Sequence, residues 1–144
     1  RVAASGNNCV AISRDGRLLT WEKNGMDGLT EAAPTDARYK AVAVGLNHAA
    51  ALRDDGRIVI WGSIGQRFDA PTDADYKAIA CGLRHTVALR NDGSVVTWGS
   101  DEELADAPTN AGYVAIAAGC NHSVALHEDG SVVTWGSNYD KQRS

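Results

Sequence analysis

Three histidines, His48, His85 and His122, recur at an interval of 37 residues. Imidazole ligates metals and moves protons near neutral pH, so a regular set of three invites a metal or catalytic reading. Shared coordination requires every ligand within about 2 Å of one ion. Side chains at equivalent positions of stacked units are held a whole unit apart. The spacing therefore predicts one hydrogen bond per unit, with each imidazole fixing the loop after a glycine of its own unit. Asp55, Asp92 and Asp129 share the interval, and each precedes a glycine. They read as turn aspartates and not as paired carboxylates for acid–base work. Cys9, Cys81 and Cys120 are odd in number and irregular in spacing, which argues against a disulfide framework and for incidental thiols. Cys9 follows Gly6-Asn7-Asn8, whereas Cys120 lies inside Gly119-Cys120-Asn121-His122, so no shared cysteine–histidine chemistry is implied. Gly-x-Ser-x-Gly, a phosphate-cradling glycine loop and Cys-x-x-Cys are all missing from the sequence. The expectation is a chain that is not an enzyme and that needs no metal and no cofactor.

The elements that carry these residues repeat with them. Trp61, Trp98 and Trp135 keep the 37-residue interval and are each followed by glycine. Gly45, Gly82 and Gly119 keep it too, as do Pro34, Pro71 and Pro108, and Tyr39, Tyr76 and Tyr113. A fourth, leading copy has Gly6, Asp15-Gly16 and Trp21, but Asn8 replaces the histidine and Glu22 the glycine after tryptophan. Its loop after Gly6 is one residue shorter and its connector from Trp21 to Pro34 three residues longer. The copies span approximately 1–38, 39–75, 76–112 and 113–144 of one domain.

Each copy reads as short strands. In the last one, apolar or β-branched runs cover 113–118, 122–126 and 131–135. Asp129-Gly130 between the second and third is a hairpin signal, because glycine accepts the positive φ of the turn. A fourth, outer strand is expected over 104–107, before Pro108, since proline is tolerated at a sheet edge. The runs are nearly continuous in small and apolar residues, as suits sheets buried on both faces. No segment sustains a 3.6-residue period. The expected fold class is all-β: propeller blades of four antiparallel strands, in four repeats that form a partial propeller or half-ring and gain stability by stacking.

Charge narrows the partners. The formal net charge is −4, and the sequence has no cluster of lysine and arginine of the kind that grips phosphates, so no nucleic acid is expected. The longest apolar runs fall far short of the roughly 20 residues of a spanning helix, so no membrane is expected either.

The pattern Ala-x-Gly-x-x-His-x-x-Ala-Leu-x-x-Asp-Gly-x-Val-x-x-Trp-Gly, clear in the second to fourth copies and degraded in the first, resembles the repeat of the regulator of chromosome condensation family. The short period and the Ala-Pro-Thr connector are most similar to its compact bacterial version, as in the secreted propeller-type β-lactamase inhibitor. The resemblance implies a propeller, seven-bladed in the family, whose members share protein–protein binding and include an exchange factor, photoreceptors, ubiquitin-ligase domains and enzyme inhibitors. It places binding on the loops after each glycine, where the copies differ: Asn7; Leu46 and Asn47; Leu83 and Arg84; Cys120 and Asn121. The inhibitor's aromatics at the matching positions are replaced here by Asn, Leu, Arg and Cys. Arg84 is the expected anchor, since arginine is enriched at binding hot spots. The connectors 22–30 and 100–106 also vary, and the second carries Asp101, Glu102, Glu103 and Asp106, an acidic stretch suited to steering a basic partner.

Four copies are fewer than seven. The expectation divides among a fragment of a longer propeller, a half-ring completed by a second chain, and a four-bladed ring. The function expected is a non-catalytic scaffold that presents its rim to a protein partner and self-assembles to close the ring. The alternative is a regulatory domain of exchange-factor or inhibitor type.

Overall fold

The computed structural model describes residues 1–5, 8–22, 33–35, 38–46, 48–62, 71–99 and 107–136. Among them the chain is all-β, with four three-stranded antiparallel sheets, each in plain chain order. The first holds β1 (Val2–Ser5), β2 (Asn8–Ile12) and β3 (Leu18–Glu22). The second holds β4 (Tyr39–Val44), β5 (His48–Arg53) and β6 (Ile58–Gly62). The third holds β7 (Tyr76–Cys81), β8 (His85–Arg90) and β9 (Val95–Gly99). The fourth holds β10 (Tyr113–Ala118), β11 (His122–His127) and β12 (Val132–Gly136). The expected fourth strand falls mostly outside the described residues, and Ala107, its one described residue, is not in a strand. The described blades are therefore three-stranded.

In each sheet an Asp-Gly turn closes the hairpin of the second and third strands. Gly16, Gly56, Gly93 and Gly130 have φ between 85° and 89°, the left-handed region that glycine enters without a Cβ penalty. The turn aspartate braces the exit: Asp92 Oδ1 accepts from the Ser94 N–H at 2.8 Å and from its hydroxyl at 2.6 Å, and Asp129 does the same for Ser131. The turn also reaches the next sheet. The Tyr39, Tyr76 and Tyr113 N–H groups donate to the carbonyls of Gly16, Gly56 and Gly93 at 2.9, 3.2 and 2.9 Å.

The sheets stack in chain order, β4 lying against β1 and β2, β7 against β4 and β5, and β10 against β7 and β8. Every joint has the same composition. One sheet offers Leu52 and Ile58, and the next offers Tyr76, Ala88 and Trp98. At the following joint Val87 and Leu89 meet Tyr113, Ala125 and Trp135. The central strands β5 and β8 are consequently buried along almost their whole length, which accounts for their unbroken apolar runs. In β11 burial alternates, because only one of its faces is covered.

Each tyrosine gains its place through a bulge. The register shifts between Tyr39 and Ala41, Tyr76 and Ala78, and Tyr113 and Ala115. Without the extra residue, the tyrosine would share a face with the alanine two positions on. With it, Tyr76 turns back onto the preceding sheet, into the cluster of Leu52 and Trp98.

Candidate protein-binding rim

The post-glycine loops are tight, and their backbone is fixed from several sides. The N–H groups of Gly45, Gly82 and Gly119 each donate to the carbonyl of the histidine three residues on, at 2.8 Å. That leaves two residues at each tip. The glycine after each tryptophan lies beneath: Gly99 and Gly136 pair with His85 and His122 and have φ of 130° and 110°. A Cβ on Gly99 would lie 2.3 Å from the Arg84 carbonyl oxygen, and one on Gly136 2.6 Å from that of Asn121. The Trp-Gly pair thus supplies a core side chain and a flat floor for the neighbouring loop.

The loops are also tied sideways. The Leu83 N–H donates to the Cys120 carbonyl at 3.0 Å, joining the third loop to the fourth. Asn8 Nδ2 donates to the Leu46 carbonyl at 3.1 Å, joining the first sheet to the second loop. The ties leave these loops side by side in two joined pairs, first with second and third with fourth. Leu46, Arg84 and Cys120 are exposed on them, while Leu83 and Asn121 are half-buried. Asn7 and Asn47 lie outside the described residues, as do residues 100–106 with the acidic stretch.

Beneath the rim, the histidines act between sheets. His48 and His85 are fully buried. His48 Nε2 pairs with Thr86 Oγ1 at 3.1 Å, and His85 Nε2 with Ser123 Oγ at 2.7 Å. This corrects the expected bond to the loop of the same unit. The ring does lie against its own glycine, a Cβ on Gly45 falling 2.3 Å from His48 Cε1. Its outer nitrogen, however, points to the next sheet, because β5 and β8 turn these positions toward it. Burial pushes the His48 imidazole down to about 4, so it is neutral at physiological pH. Thr86 and Ser123 were missed from sequence. Their signal is a hydroxyl directly after the histidine in the third and fourth copies, where the second has Ala49.

Other chemistry is scarce among the described residues. No group of three His, Cys, Asp or Glu side chains there is placed to hold a metal ion. The three cysteines are free thiols. Burial pushes the Cys81 thiol up to about 12, which keeps it protonated. No described helix is long and apolar enough to cross a membrane.

The tryptophans divide by position. Trp61, Trp98 and Trp135 are 0–3% exposed, each against the preceding sheet. Trp21 is 54% exposed, because no described sheet precedes the first.

Stacked three-stranded antiparallel sheets, joined in chain order by repeated hydrogen bonds, define a β-propeller-type protein. The regulator of chromosome condensation (RCC1) repeat matches residues 39–65, 76–103 and 113–142, more than half of the chain. The chain belongs to that repeat family. Among solved structures, it superposes on the CRINKLY WD40 ectodomain of the Arabidopsis thaliana receptor kinase ACR4 with a TM-score of 0.82 and 23% identity, covering 94% of this chain and 49% of that one. Prp20p from Saccharomyces cerevisiae gives a TM-score of 0.73 and 23% identity, over 94% and 43%. The computationally designed Ika4 protein gives 0.58 and 20%, over 94% and 89%. The chain thus spans about half the length of the two natural propellers. No curated protein matches it.

Proposed function

We propose that the chain is a non-catalytic propeller scaffold that binds a protein partner through the rim of Leu46, Leu83, Arg84 and Asn121. The observation that supports this most directly is the rim itself. A repeated frame of glycines and inter-sheet hydrogen bonds fixes the loop backbone, while the tip residues differ from copy to copy. A preorganised edge loses little conformational entropy on binding. Relatives in fold are consistent with the reading: Prp20p has binding properties to Gsp1p and histones, and yeast RCC1 (Prp20) was solved bound to Kap60. The test is affinity capture with the wild-type chain, an L83E/R84E variant and a K77E variant, Lys77 being exposed outside these loops. A protein retained by wild type and K77E but lost from L83E/R84E supports the rim. Equal retention by all three overturns it.

The same likeness to Prp20p supports a second reading, a regulatory domain of exchange-factor or inhibitor type. Its signature is a changed rate in a GTPase or hydrolase when the chain is added, where a passive scaffold leaves rates unchanged. The scaffold also self-assembles, a reading supported by the apolar side chains left open at its two ends: Trp21 on the first sheet and Val132, 60% exposed, on the fourth.

A further inference from the structure

The two open ends are unlike each other and complementary. At every internal joint, a front face meets a back face. The front face of the second sheet carries His48, Leu52 and Ile58, and the back face of the third carries Thr86, Ala88 and Trp98. The strand registers carry the same assignment to the ends. Cys9 pairs with Trp21 as Thr86 pairs with Trp98, so the first sheet leaves a back face of Val2, Cys9, Leu19 and Trp21. Leu126 pairs with Val132 as Leu52 pairs with Ile58, so the fourth leaves a front face of His122, Leu126 and Val132. Neither end covers the other within the chain, since Val2, Leu19, Trp21, Leu126 and Val132 are all exposed.

We infer that these faces join two copies of the chain front to back, with Trp21 of one copy against Leu126 and Val132 of the other and His122 opposite Cys9. The inference rests on the self-assembly reading above and specifies its geometry. Three observations favour a second copy as the occupant. The joint continues the front-to-back order of the three internal joints, with a tryptophan on the back face against apolar residues on the front. The paired front and back positions carry no charged side chain, so the contact requires no buried charge. The sheets also superpose on the ACR4 ectodomain at a TM-score of 0.82 while covering 49% of it, so two copies, eight sheets in all, match about the length of one such propeller. Used twice, a front-to-back joint closes a ring of two copies, whereas a joint between two front faces leaves both back faces open.

The joint also has a weak point. His48 and His85 each find a hydroxyl on the next back face, but His122 meets the thiol of Cys9, a poorer hydrogen-bonding group. Gly119, last in its row, shows the same open side. The three atoms nearest an added Cβ all belong to His122, whereas Gly45 and Gly82 each also meet the next sheet's glycine carbonyl, at 2.4 and 2.5 Å.

The test uses the whole chain in native mass spectrometry and light scattering. Wild type is expected to form a dimer. W21E alters only the back face and V132E only the front, at exposed positions, so both variants fold, as circular dichroism would verify. Each alone is expected to be monomeric. Mixed one to one, they are expected to form a heterodimer, because the sound front of W21E meets the sound back of V132E. C9S restores a hydroxyl opposite His122 at both joints of the ring and is expected to tighten the dimer about 25-fold, about fivefold for the hydrogen bond added at each joint. If W21E or V132E alone stays dimeric, self-association stands and this joint is overturned. If C9S binds no more tightly than wild type, the His122–Cys9 pairing is overturned. A wild-type chain that stays monomeric at about 100 μM, far above the range of specific interfaces of this kind, overturns the joint and the self-assembly reading together and assigns the open faces to other blades of a longer polypeptide.

Discussion

His85 Nε2 lies 2.7 Å from Ser123 Oγ, across the joint between the third and fourth sheets. Both residues are fully buried, so the bond sits where water cannot replace it. Ser123→Ala removes the hydroxyl and leaves the ring nitrogen without it, at a cost of about 1–3 kcal/mol. Ser123→Thr keeps the oxygen and reproduces the residue found at Thr86, so it is expected to keep the hydrogen bond and cost less than Ser123→Ala. Urea unfolding of the two variants checks both expectations.

Stability should fall on mild acidification. Burial holds the His48 imidazole at about 4, below its ordinary 6.5. Between these values the unfolded chain binds a proton that the folded chain excludes. The stabilisation is complete above pH 6.5 and is lost as pH falls toward 4, at about 1 kcal/mol per pH unit. His48→Asn, which installs the residue present at Asn8, is expected to flatten that slope. Thermal unfolding from pH 7 to 5 for both proteins measures it.

Two glycines should respond differently to alanine. A Cβ on Gly82 would lie 2.0 Å from His85 Cε1 and 2.5 Å from the Gly119 carbonyl oxygen, inside the joint. Gly82→Ala is expected to cost about 3 kcal/mol, because the backbone of the next sheet has to move. Gly130 has open space around its Cβ direction but a φ of 89°. Gly130→Ala is expected to cost about 1 kcal/mol, from the left-handed backbone alone. Denaturation midpoints separate steric overlap from conformational strain.

Gly99→Ala should act on binding from below the rim. Its Cβ would press on the Arg84 carbonyl at 2.3 Å and displace the loop tip without altering a tip side chain. Partner capture is expected to fall about tenfold while that of K77E stays at the wild-type level. A Gly99→Ala chain that folds and binds normally would show that Arg84 is not positioned by this floor.

Much of this architecture was legible in sequence because its signals are local. The Asp-Gly pairs mark the hairpins through the φ that glycine alone adopts freely. The run at 113–118 coincides with β10, and β12 is the run at 131–135 shifted by one residue. The post-glycine loops were legible as the places where the copies differ, through the contrast between fixed glycines and varying tips, although Asn7 and Asn47 fall outside the described residues.

The amino-acid sequence by itself determined the period, the strands, the turns and the spacing of His48, His85 and His122. These depend on neighbours along the chain. Only the tertiary structure decided what each repeated residue touches. Tyr76 would sit on the front of its strand by simple alternation, and a bulge sends it to the back. His85 bonds a hydroxyl 38 residues away on another sheet. Trp61 and Trp21 hold the same place in their repeats, yet one is 2% and the other 54% exposed. The physical reason is common to all three: a blade face acquires its environment from the sheet stacked on it, which no pattern within a single repeat specifies.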